Sequence, residues 1–595
     1  MDVSILICKK QRPCFILALL ILVIITISSS NRFIYSDRCV SDNPKDVDGD
    51  NIPNDWEENG VDVNNDGKVD MNLSARESTP LHKDIFLEVD YMKFHLPYSQ
   101  VIPKVVEAFG KAPVCNPDGS NGVRLHVQLD QEIPHQDTLT LTELINGQEV
   151  QTWKGFDDMY KKYFGTLSER NSTNADSILG AKEKIYHYAI FGHTFDNLGY
   201  SGISRDIPAM DFLVTLGKFS VRDPDTGHIT GSPSEQEGTL MHELGHNLNL
   251  GHGGVDDTNC KPNYLSIMNY LFQFPYLVSN RPLDYSRYSL SSLNEGALDE
   301  SSGIGISISP GVDRRVTQES FTVYGPREPK IALTGAPIDW NRDADLVDKG
   351  ISEDISNIWG ICDYASPNQS LQGYNDWSNL TYDSVVYEGL DTKGNINSTG
   401  GLGSNTSTSE SNSSRIGFGT GATRSEVGNQ SNTPVELTYQ NVKDMNLGLV
   451  SSINTAINNL PVTSFEQDSP LSSLSDIDRS TTSEDAKGFY ADTIGIPSGS
   501  ETALSDEPTN ESDTTITGYI KSNNITGAIS SLQALLPSMD SSFGGAQSDD
   551  QITDPNSQQQ IASLINNAIE GLKSQTCSYS DCTSVDKLPN ATIEY

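Results

Sequence analysis

The sequence predicts an α/β (α+β) domain, a mixed twisted sheet crossed by one long helix, on three observations. First, residues 85–91, 123–129, 185–191 and 212–216 are rich in β-branched and aromatic side chains and read as strands. Second, residues 99–109 lie between the first two runs and place Val101, Val105, Val106 and Phe109 at helical spacing, with Pro103 tolerated in the first turn. Strand, helix, strand implies a parallel pair joined by a crossover helix. Third, a helix opens at Ser234, with Glu237 at the reciprocal capping distance. Its apolar face, Leu240, Met241, Leu244 and Leu248, would pack on the sheet.

At 595 residues the chain exceeds one compact core. Composition divides it into a signal segment (1–30), an acidic region (31–83), the α/β domain (84–390), a Ser/Thr/Asn/Gly linker (391–436) and a tail (437–595). Apolar residues at helical spacing mark tail helices near 437–460, 516–536 and 560–572. A small helical module, a partner-binding element and a partly disordered tail all fit that pattern.

Lys9, Lys10 and Arg12 precede the apolar run 14–27, a length suited to a secretory signal and short for a spanning helix. Cleavage near Ser30 would release the chain outside the cell; an uncleaved segment would anchor it at the cell surface, the one route to membrane contact. The remaining Cys39, Cys115, Cys260, Cys362, Cys577 and Cys582 form an even set, so disulfides are expected, Cys577 with Cys582 being the pair closest in sequence. Sequons such as Asn72, Asn171, Asn379 and Asn524 are compatible with surface glycosylation. A formal net charge of -40 argues against a nucleic-acid partner, because phosphate binding needs clustered Lys and Arg.

The acidic region has calcium-loop spacing. Asp46, Asp48, Asp50, Asn54 and Glu57 fall at loop positions 1, 3, 5, 9 and 12, with the Ile52 carbonyl at position 7 and Asn51 in place of the usual Gly at position 6. A second loop, Asp62, Asn64, Asp66, Lys68 and Asp70, has Gly67 at position 6 but Leu73 at position 12, and reads as a weaker site. A third, Asp339, Asn341, Asp343 and Asp345, suggests another calcium or a surface turn.

The long helix carries the chemistry. His242 and His246, four apart, present imidazoles from one helical face to a single metal, and Glu243 beside the first can act as general base on water. His252, six residues on, can join them only if the helix ends, and Asn249 and Gly251 are residue types that adopt the left-handed turn this requires. Three neutral imidazoles leave a coordination position open, as in a catalytic zinc site.

Residues 242–252 resemble the metzincin signature H-E-x-x-H-x-x-G-x-x-H, with Asn249 where the family has Gly. Ser266-Ile267-Met268-Asn269-Tyr270 resembles the Met-turn. The acidic loops are similar to those of thrombospondin type 3 and dockerin-like repeats. Together these marks look most like secreted prokaryotic metzincins, more distantly pappalysin-like or gametolysin-like enzymes.

The resemblance implies a zincin-type fold, one catalytic Zn2+, structural Ca2+, and hydrolysis of peptide bonds in protein or peptide substrates. Met268 would floor the metal site, and Tyr270 would either stabilise the oxyanion or serve structure alone. A peptide would lie along an edge strand at 212–216. Arg38-Cys39 offers two fates, a latency thiolate on the zinc or a disulfide to Cys115 or another Cys. The rival reading is a calcium-stiffened surface adhesion or envelope protein with an inactive zinc domain.

Overall fold

The computed structural model describes residues 39–382, except 220, 306–319, 328, 344, 359–360 and 363–368, together with 436–458, 515–536, 555–576 and 593–594. The signal segment, Arg38, Cys577, Cys582 and most of the linker lie outside the described residues. Among the described residues no helix is long and apolar enough to cross a membrane.

Strand β1 (Asp84–Met92), helix α1 (Val101–Gly110) and strand β2 (Arg124–Ile133) form the crossover unit, with β1 and β2 parallel. Strand β3 (Tyr186–Gly192) pairs parallel with β1 on its other side. The chain then makes a short strand β4 (Gly202–Ser204), returns as β5 (Asp211–Thr215) parallel to β3, and enters the long helix α2 (Pro233–Asn247). With the terminal strand β6 (Ile593–Glu594), the sheet order is β6-β2-β1-β3-β5-β4.

Both faces of this sheet are covered, which explains its near-continuous apolar strands. Along β1 the period of two sends Ile85, Leu87 and Val89 into one core and Phe86 into another. On the first face α1 contributes Val105 and Phe109, and α2 contributes Leu240, Met241, Leu244 and Leu248. On the second face Phe156 and Met159 pack with Trp56 and Leu73 of the acidic region. The tail joins the first core. Helices Tyr439–Asn458, Ile516–Lys521, Ile525–Leu535 and Pro555–Ser574 insert Met445, Ile453, Ile520, Leu532, Ile565 and Ile569 there.

Two sequence expectations are corrected. The cap of α2 is Ser232, not Ser234: the Ser232 hydroxyl accepts from Glu235 N at 3.2 Å, while the Glu235 carboxylate accepts from Ser232 N at 2.6 Å. Pro233 decides this, because its fixed φ and missing N–H suit the first helical position. Ser234 is then free to donate to Ser574 O at 2.8 Å, and Glu237 pairs with Lys104 at 2.7 Å. Nor is 212–216 an edge. Strand β4 covers it antiparallel, with Ile203 opposite Leu213, so β4 is the outermost strand on that side of the sheet.

Candidate metal centre

Helix α2 ends where the sequence requires. Asn249 adopts φ 73°, and Asn249 N and Leu250 N donate to His246 O and Gly245 O, both at 3.0 Å. This is the paired bonding of a Schellman turn, and Asn supplies the left-handed residue that Gly would. His252 is thereby carried back toward the helix, its ring centroid 5.3 Å from that of His242 and 4.9 Å from that of His246.

The tautomers follow from the outer hydrogen bonds. His242 Nδ1 lies 2.9 Å from Ile267 O and His246 Nδ1 lies 2.7 Å from Leu250 O; a carbonyl only accepts, so both Nδ1 atoms carry the proton. In the neutral rings the Nε2 atoms present lone pairs, and they face each other at 3.1 Å. Two lone pairs at that distance repel unless a proton or a metal ion lies between them. Ligand atoms each ~2.0–2.1 Å from a tetrahedral zinc stand roughly 3.3 Å apart, so this spacing fits zinc.

The fourth member is Glu436. Its carboxylate reaches His242 Nε2 at 3.1 Å, His246 Nε2 at 3.3 Å and His252 Nε2 at 3.5 Å, and the four residues are all buried. Tyr270 donates its hydroxyl to the same carboxylate at 3.4 Å, across a sequence separation of 166. The segment carrying Glu436 runs beside the sheet margin: Ser201 N donates to Leu437 O at 2.7 Å, and Thr438 bridges antiparallel to Tyr200. Sequence reasoning missed Glu436, since a single Glu at the end of a low-complexity linker has no ligand spacing to betray it.

Electrostatics divides the two carboxylates. Burial, then the charge of Glu436, pushes Glu243 well above the usual carboxylate range. Burial acts the same way on Glu436, but the imidazoles of His242 and His252 outweigh it and hold its carboxyl well below that range. Burial lowers His246 to about 4, which keeps it a neutral ligand. Glu243 gets its room from Gly202 on β4, where a β-carbon would stand 2.5 Å from Glu243 Oε1.

Met268 is fully buried beneath the helix. Its turn is held by Asp376, another residue that sequence reasoning missed: Tyr264 and Ser266 donate their hydroxyls to its two oxygens at 2.8 and 2.5 Å. Asn269 locks the same turn, donating to Lys261 O at 3.0 Å and Tyr264 O at 2.9 Å.

Cys39 is bonded to Cys115 and Cys260 to Cys362. The thiolate option for Cys39 is thus corrected, and it is Glu436 that lies against the three imidazoles. In the first acidic loop Asp46, Asp48, Asp50 and Glu57 are buried, and Asn51 takes φ 66°. Asp48 Oδ2 and Glu57 Oε2 have no hydrogen-bond partner among the described residues, a donor set suited to a hard cation. Asn54 Oδ1 accepts from Val47 N at 2.9 Å and closes the loop, beside the turn that holds Ile52. In the second loop Asp62 accepts from Asp66 N and Gly67 N, Asp66 accepts from Lys68 N, Asp70 accepts from Val63 N, and Asn64 donates to Ser177. Its carboxylates are more exposed than those of the first loop. The third groups Asp343 and Asp345 with Asp348 and Glu300, while Asp339 and Asn341 hold the turn by accepting from Asp343 N.

Comparison of the chain with protein-family models, curated proteins and solved structures returns no match.

Proposed function

We propose that the chain is a secreted zinc-dependent endopeptidase in a closed form, its own Glu436 standing where substrate would bind. The observation that carries this reading is the convergence of the His242, His246 and His252 ring nitrogens beside the buried Glu243. Zinc held by these imidazoles would polarise a scissile carbonyl and lower the pKa of a water molecule toward ~7. Glu243, buried beside the imidazoles, would take a proton from the attacking water and hand it to the leaving amine. Tyr270 directs its hydroxyl to the place now filled by the Glu436 carboxylate, where an oxyanion would develop. A substrate strand would run beside β4, starting where Tyr200 and Ser201 pair with the Glu436 segment. Calcium in the first acidic loop would brace the start of β1, since Asp50 accepts from Asp84 N at 2.7 Å.

One observation favours a second reading. Four protein ligands make a closed set, the mark of structural zinc, and fit a calcium-stiffened surface protein with an inactive zinc domain. Against it stands Glu243, a buried carboxylate beside the ligands that a structural site would not need.

The deciding experiment measures zinc content and cleavage of a peptide library by the full chain, Glu436→Ala, and Glu436→Ala with Glu243→Ala. Cleavage by Glu436→Ala that Glu243→Ala abolishes, with zinc retained in both, supports the endopeptidase. Zinc retention with no Glu243-dependent cleavage in any background sinks it.

A further inference from the structure

Four histidines outside the centre just described gather at one end of the sheet. β2, β1 and β3 are neighbours and parallel, so their C-terminal ends lie side by side. His95 follows β1 in a turn closed by His95 N donating to Met92 O at 2.8 Å, His135 follows β2, and His193 follows β3 directly. Their ring centroids form a near-equilateral triangle of 5.1, 5.3 and 5.3 Å.

Several details separate this cluster from ordinary packing of neutral rings. His95 Nε2 and His193 Nδ1 stand 3.2 Å apart, the separation of two ligands on one tetrahedral ion. One N–H could bridge that pair, but His135 Nε2 is also buried and has no hydrogen-bond partner among the described residues. Its other nitrogen, Nδ1, lies 3.6 Å from the exposed Asp137 Oδ1. Gly217 clears the space beside His193, where a β-carbon would be 2.3 Å from Nδ1. Phe94 is held at φ 75°, unusual for a bulky residue, in the turn that presents His95. The fourth ring, His228, stacks on Phe94 at 4.0 Å and walls the site.

The geometry points to a second transition-metal site, formed by His95, His135 and His193 and distinct from the His242/His246/His252 centre. Three imidazoles select a borderline divalent ion of the zinc class over calcium or magnesium, which take oxygen ligands. His135 and His193 are partly exposed, which gives the ion an entry path. The site clips together the loops that leave three adjacent strands. Those loops also share the bonds from Thr194 Oγ1 to Asp137 O at 2.6 Å and from Gly217 N to His193 O at 2.9 Å.

The test uses the full chain, stripped by a chelator and reloaded with zinc chloride in buffer holding millimolar calcium. The expected content is about two zinc ions per chain, falling to about one in His135→Ala/His193→Ala and to about one in His242→Ala/His246→Ala. Cobalt chloride supplies a second readout, because its visible spectrum in His242→Ala/His246→Ala would report the proposed site alone. His135→Gln, at a partly exposed position, guards against misfolding and should lose that spectrum while keeping the wild-type circular dichroism. Equal zinc content in wild type and folded His135→Ala/His193→Ala, or no cobalt spectrum in folded His242→Ala/His246→Ala, overturns the site.

Discussion

The thioether of Met268 lies against the backbone of Gly245, so close that a β-carbon on residue 245 would stand 2.3 Å from the sulfur. Residue 245 sits in sequence between His242 and His246, and Tyr285 closes on it from beside Met268, its ring 3.0 Å from the same point. The floor of the site and its helix are therefore packed against each other through an absent side chain.

Gly245→Ala tests this contact because two effects oppose each other. Helix propensity alone favours Ala by ~1 kcal/mol, whereas forcing a methyl into a packed core costs ~1–3 kcal/mol and shifts neighbours. Overpacking should win. The variant is expected to melt a few degrees below wild type and to bind zinc more weakly. A higher melting temperature with unchanged zinc affinity would show that Met268 moves aside freely.

What the sequence made legible followed local rules. His242 and His246 share a helical face by spacing, and Asn249 turns the chain because Asn tolerates a left-handed conformation. The strands 84–92 and 186–192 announce themselves by apolar, β-branched content. What stayed hidden depends on long-range docking. Glu436 and Asp376 meet His242 and Ser266 only after the chain folds back, and His95, His135 and His193 converge only because three strands are parallel neighbours. The capping error at Ser234 had a local cause, since Ser232 and Ser234 both precede a Glu by three residues and only Pro233 breaks the tie.

Glu436→Ala should raise peptide cleavage. If the closed form dominates and the open form is ~1% of molecules, apparent activity is lowered ~100-fold, and removing the carboxylate should recover at least ~10-fold. Zinc should remain, held by the three imidazoles. Glu436→Gln keeps the shape but loses the charge, so its rate should fall between Ala and wild type. Initial rates on a fluorogenic peptide library, with zinc measured on the same samples, decide the matter. Unchanged rates in both variants would mean that the segment does not obstruct the site.

Asp376 gives a pH dependence with a definite sign. Burial raises its folded pKa from 3.8 to about 6, against hydrogen bonds from Ser266, Ser286 and Tyr264, with Lys261, Tyr285 and Tyr374 also facing it. Between about pH 4 and 6 the folded chain holds a proton that the unfolded chain has lost. Stability from this group is therefore complete below about pH 4 and lost as pH rises through about 6, up to roughly 3 kcal/mol. Urea titrations of wild type and Asp376→Asn across that window should diverge, the wild type losing more stability as pH rises. Parallel curves would refute the assignment.

Calcium removal should loosen the start of the sheet. In the first acidic loop, burial pushes Asp48 up to about 7 and Glu57 up to about 9, so without a cation the fold must bury bare charge or take up protons. The loop is tied to the domain at both sides, through Asp50 accepting from Asp84 N at the head of β1 and through Asn51 donating to Tyr382 O. An ion that binds only the folded form stabilises it by ~2.7 kcal/mol at one hundred times its dissociation constant. Melting curves in calcium chloride and in EGTA should thus separate by several degrees. Asp48→Asn should abolish that separation, His246→Ala should keep it, and Asp66→Asn in the exposed second loop should reduce it only slightly. If EGTA shifts Asp48→Asn as far as wild type, the stabilising ion sits elsewhere.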